Sequence, residues 1–96
     1  MFFKSIDKKI EELGFKKVAV NKYAVSYERL DKKYGYTQCV DILHKASGGH
    51  VLQSYDKNLH DSIGVGNTSV GLTGYEMKLF YKKMKKMGYV KKPKEA

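Results

Sequence analysis

The sequence predicts one α+β domain: a three-stranded antiparallel meander covered on one face by an N-terminal and a C-terminal helix. The order is α-β-β-β-α, with a short extra strand as the alternative. Two 3.6-period apolar stripes, at Phe3–Leu13 and Leu72–Tyr89, carry the helices. Between them the apolar period drops to two, and the connections are short enough for antiparallel neighbours. The domain is expected to span residues 1–90, with 91–96, KKPKEA, as a frayed basic tail.

In the first helix Phe3, Ile6, Ile10 and Leu13 share a face, and Lys4, Asp7, Lys8, Glu11 and Glu12 cover the other. Gly14 supplies the left-handed stop, and Phe15 can fold back on Ile10. Lys8 and Lys9 precede Glu11 and Glu12, the weaker order for helical ion pairs, so this helix depends on its apolar stripe.

Lys16–Val20 and Tyr23–Leu30 alternate, and Asn21-Lys22 reads equally as a tight turn between two strands or a bulge within one. Asp31–Gly35 is a turn by composition. Tyr36–Lys45 is a strand with Gln38, Val40, Ile42 and His44 facing away from Cys39, Asp41 and Leu43. Ala46–Gly49 connects it to His50–Asp56, where Val51, Gln53 and Tyr55 alternate with Leu52 and Ser54. Lys57–Gly71 carries few large apolar groups and is expected to be a long loop, of the kind that is disordered or functional.

The last helix has both ends written in its residues. Thr73 and Glu76 form a capping box, and Gly88 with Tyr89 a C-terminal closure. Met77, Phe80, Met84 and Met87 recur at spacings of three, four and three, which places them on the core face. The predicted core is Phe3, Ile6, Ile10, Leu13, Val25, Tyr27, Val40, Ile42, Val51 and those four residues.

Charge narrows the function classes. Residues 1–76 hold 11 Lys+Arg against 9 Asp+Glu; residues 77–96 hold 8 Lys against 1 Glu. The excess therefore sits on the last helix and its tail. Such a block attracts phosphate, acidic protein surface or anionic lipid; its plain alternative is a solvated face that keeps a small protein soluble. All but one of the basic residues are Lys, whereas base-edge recognition favours Arg. The single cysteine, Cys39, excludes an internal disulfide and fits a reducing cytoplasm. No apolar run approaches the roughly 18 residues that span a bilayer. The N-terminus mixes acids and bases at helical spacing, unlike a signal peptide.

No catalytic or cofactor signature emerges. His44, His50 and His60 show no paired metal spacing, although His44 and His50 flank a hairpin and can meet across it. Cys39 sits mid-strand without a local base, as a buried inert thiol does. Asp41 and Glu28 occupy positions whose spacing does not bring them together. Gly64-Val65-Gly66 lacks the remainder of any phosphate loop, and Glu76 would repel an anion at the following helix N-terminus. Eight tyrosines are many for this length, and Tyr23, Tyr27, Tyr34, Tyr36 and Tyr55 lie on or beside the sheet. They fit either a half-buried sheet or a contact patch.

Leu13-Gly14-Phe15, Tyr27-Glu28-Arg29, Asp41-Ile42-Leu43 and the Leu72-Thr73…Glu76…Lys82-Lys83-Met84-Lys85…Gly88-Tyr89 segment resemble small accessory proteins encoded by phages and prophages of Firmicutes. The resemblance implies an accessory product acting in a bacterial cytoplasm and supplies no catalytic residue. The expectation is a non-catalytic protein, without metal or cofactor, that binds nucleic acid or a nucleoprotein. The binding face is Lys78, Lys82, Lys85 and Lys86, with Tyr75 and Leu79 as its apolar component. The alternative is an antagonist or adaptor that docks on a protein through a tyrosine-bearing sheet face or the 57–71 loop.

Overall fold

The computed structural model describes residues 4–44, 49–59 and 68–87. In order they form α1 (Ile6–Glu12), β1 (Lys16–Val20), β2 (Ala24–Asp31), β3 (Tyr36–His44), β4 (His50–Asp56) and α2 (Gly74–Lys86). The strands make one antiparallel sheet in the order β1-β2-β3-β4. The α+β class stands, with four strands in place of three. Phe3, His60, residues 46–48 of the hairpin, Gly64, Gly66, the Gly88-Tyr89 closure and the tail lie outside the described residues.

Each element follows from local chemistry. Ser5 caps α1, its hydroxyl accepting from the Lys8 N–H at 3.0 Å. Gly14 ends it at φ +94°. A Cβ there would stand 3.3 Å from Arg29 Cδ, so strain and crowding add. Gly14→Ala is expected to cost about 1–2 kcal/mol, read as a lower urea midpoint at unchanged slope. Asn21 settles the first connection as a turn: its Oδ1 accepts from the Tyr23 and Ala24 N–H groups at 2.7 and 2.9 Å. A bulge is present as well, between Lys17 and Ala19. The 57–71 segment is not a plain loop. Lys57–Leu59 makes a helical turn, and Ser69 bridges Tyr55 at the outer edge of β4.

Strand register divides the sheet into two faces. Val25 pairs Ile42, Tyr27 pairs Val40, Arg29 pairs Gln38, and Ile42 pairs Leu52. These residues lie under the helices. Ile10, Phe15, Val25, Tyr27, Val40, Ile42, Leu79, Phe80 and Met84 form the core, with Ile6, Leu13, Leu52, Leu72 and Met87 packed around it. Phe80 is its centre, edge-on to Phe15 at 5.2 Å and to Tyr27 at 5.4 Å between ring centroids. Val51 belongs to the opposite face, because Leu52 is the β4 residue that pairs Ile42.

The helix α2 is turned from its expected orientation. Met77, expected in the core, is 51% exposed, and Leu79, expected on the surface, is 2% exposed. The burial pattern centres on Glu76, Leu79, Phe80, Lys83, Met84 and Met87, a rotation of about 50° at 100° per residue. Two polar groups fix it. Glu76 is buried and accepts from Arg29 Nη1 at 2.7 Å; Lys83 reaches Asp7 of α1 at 2.8 Å. Arg29 also donates from Nη1 to the Leu13 carbonyl at 3.1 Å and from Nη2 to Gln38 at 2.8 Å, while its guanidinium lies 4.1 Å over Phe15. One side chain thus joins the end of α1, two strands and the start of α2.

Candidate nucleic-acid interface

The outward half of α2 is built by the same contacts that bury its inward half. Thr73 starts the helix with a reciprocal capping box: its hydroxyl accepts from the Glu76 N–H at 3.1 Å, and Glu76 accepts from the Thr73 N–H at 2.8 Å. Burial alone would raise the Glu76 pKa, but the Thr73 N–H and the Arg29 guanidinium outweigh it and hold it below the ordinary value. The only carboxylate of α2 is therefore turned inward and neutralised. Lys83 is turned inward too, and its pairing with Asp7 leaves it no part in an outer face.

What remains outside is Tyr75, Met77, Lys78, Tyr81, Lys82, Lys85 and Lys86, all exposed. Of the expected site residues, five lie on this surface, and Leu79 does not, because it packs into the core. Met77 and Tyr81 take its place as the apolar component, and both were missed for the same reason: the rotation of the helix is set by partners remote in sequence. Among the described residues, Lys78, Lys82, Lys85 and Lys86 make no ion pair or hydrogen bond. The lysines at 78, 82 and 85 follow one another at helical-neighbour spacing, with rises of about 6 and 4.5 Å. A row of ammonium groups with no internal counter-charge offers its whole field to an external anion.

The other candidates resolve individually. His44 and His50 do meet: their Nδ1 atoms are 3.0 Å apart and their rings stack at 4.8 Å between centroids. Among the described residues no three His, Cys, Asp or Glu come together as a metal site. Glu28 and Asp41, whose spacing alone does not bring them together, share the face away from the helices, since Glu28 pairs Cys39 and Asp41 pairs Ser26. Asp41 is buried there and accepts from Gln53 at 3.1 Å, Tyr55 OH at 2.8 Å and Cys39 Sγ at 3.4 Å. Burial raises its pKa, but the bonds from Ser26, Gln53, Tyr55 and Cys39 lower it further. The Cys39 thiol is pushed up to about 11, first by burial and then by the charges of Asp41 and Glu28, so it stays protonated at neutral pH.

A groove of about 610 Å³ lies between α1 and β1, lined by Asp7, Glu11, Lys16, Lys17 and the apolar floor of Ile10, Phe15 and Tyr27. Its acids and bases balance, and Asp7 already holds Lys17 at 3.2 Å and Lys83. The tyrosines form no single sheet patch. Tyr27 is in the core, Tyr55 is held by Asp41, and Tyr23 and Tyr34 stand at the turns on opposite ends of β2.

Compared with protein-family models, with curated proteins and with solved structures, the chain matches none. No helix among the described residues is long and apolar enough to cross a membrane.

Proposed function

We propose that this is a non-catalytic accessory protein of the phage or prophage type that binds nucleic acid, or a nucleoprotein, through the outer face of α2. The compartment in this reading is a bacterial cytoplasm. The observation that supports it is the row Lys78, Lys82, Lys85 and Lys86, exposed and without a counter-charge among the described residues, on a helix whose single carboxylate is buried. Each lysine can neutralise one phosphate and release its condensed counterion. With about three or four such contacts, affinity is expected to fall by about 40- to 150-fold between 50 and 200 mM salt on a duplex, and by about 20- to 50-fold on a single strand.

Filter binding at one fixed salt concentration tests the face. Lys82→Glu with Lys86→Glu preserves the fold, because both side chains are exposed, and is expected to weaken binding by more than tenfold. Lys8→Glu with Lys9→Glu, on the charge-balanced α1, is expected to have a much smaller effect. Equal losses would reduce the interaction to bulk charge. A partner retained after nuclease treatment, at high salt, would instead favour docking on an acidic protein surface.

A further inference from the structure

We infer that the α2 face takes single-stranded rather than duplex nucleic acid, with unpaired bases stacking on Tyr75 and Tyr81 and their phosphates held by the lysines between. This rests on α2 being the nucleic-acid interface and specifies the form of its ligand.

The tyrosines of the described residues fall into two groups. Tyr27 and Tyr55 spend their hydroxyls on Asp7 and Asp41. Tyr36 is partly buried and pairs Asp31 across β2 and β3, and Tyr23 and Tyr34 lie under Lys22 and Lys33 at 5.6 and 5.2 Å. Tyr75 and Tyr81 differ. Each is more than half exposed, at 55% and 51%, and among the described residues neither ring stacks on another ring or under a cation. Neither hydroxyl has a partner there. Two amphipathic rings are thus left facing water on the one helix face that also carries the unpaired lysines.

Their spacing interleaves ring and cation. Lys78 is three residues from Tyr75 and three from Tyr81, and Lys85 is four from Tyr81, so each ring has an ammonium one turn away. Met77, four residues before Tyr81 and 51% exposed, widens the apolar ledge beside that ring. A duplex can use only the lysines, because its base faces are already stacked on one another. Of the side chains that read its base edges, Arg, Lys, Asn and Gln, the outer face of α2 carries only Lys, a point charge without the planar fork of Arg. A single strand uses both components: phosphate to lysine, and base to ring, a contact indifferent to sequence because every base has a π-face.

Fluorescence anisotropy of the full chain with a labelled oligothymidylate of about 20 nucleotides, and with a duplex of equal length, at about 50 mM salt, tests this. The wild type is expected to bind the single strand roughly tenfold or more tighter than the duplex. Tyr75→Ala with Tyr81→Ala should erase that preference while leaving duplex binding within about twofold, and Tyr75→Phe with Tyr81→Phe should retain it. Thermal melts of both pairs should match the wild type, since the rings are exposed. Equal affinity of the wild type for the two forms, or equal losses for both in the alanine pair, overturns the inference and leaves the α2 nucleic-acid reading intact. Absence of wild-type binding to either form overturns that reading, and this one with it.

Discussion

Replacing Arg29 with Met is expected to lower stability by about 3–5 kcal/mol, the cost of leaving a buried carboxylate without its partner. For a domain of this size that is about half the total stability or more. The loss is spread over three bonds: to Glu76, to the Leu13 carbonyl and to Gln38. Arg29→Lys should recover only a small part, because an ammonium cannot fork between a carboxylate and an amide while lying flat on Phe15. Urea unfolding by circular dichroism reads both variants, and an Arg29→Lys protein as stable as the wild type would remove Arg29 from the centre of the fold. The pair has a pH signature as well. The folded pKa of Glu76 is depressed, so its contribution is full above the unfolded value near 4.5 and is lost as pH falls through the folded one. In Arg29→Met burial acts with less opposition, so acid loss of stability should begin at higher pH.

The second large effect separates two neighbours on α2. Leu79→Asp should unfold the domain, since it places a charge in a fully packed core position. Met77→Asp should melt within a few degrees of the wild type, since Met77 is half exposed. The reverse order would mean that the helix presents its Met77 face to the sheet. Lys85→Asp belongs with Met77→Asp, as Lys85 is exposed on the same outer half.

These two residues also mark where sequence reading stopped. The Thr73–Glu76 capping box, the Gly14 stop and the strand alternation of β2 and β3 were legible because each is decided by residues within four positions of one another, whereas the Ser5 cap, which starts α1 later than the apolar stripe does, was not. The rotation of α2 was not. Met77 and Leu79 are both apolar, and either completes a plausible stripe with Phe80 and Met84. The choice is made by Glu76 and Lys83, whose partners Arg29 and Asp7 lie 47 and 76 residues away. Inward-facing charges look like surface until their counter-charges are placed. The bounds of β1, Lys16–Val20, were legible; what local pattern left open was whether it is a strand of its own, which the Asn21 turn decides. Val51 differs from its expected place in the core because strand alternation leaves open which set faces inward, and here β4 turns Leu52 to the helices. For the candidate site, the charge map was legible and the lysines stood where composition put them. Tyr81 and Met77 were invisible as surface until the helix was turned.

The strand order has a consequence for synthesis. Every strand pairs with its neighbour in the chain, so the sheet needs nothing beyond residue 56 for its four strands. Its apolar face is different. Phe15, Tyr27 and Ile42 wait for Phe80, Leu79 and Met84, which leave the ribosome last among the core residues. While the chain is being made, the sheet must expose that face until α2 emerges. During that interval Arg29, Gln38 and Ser54, which the register places on the same face, keep it from being wholly apolar.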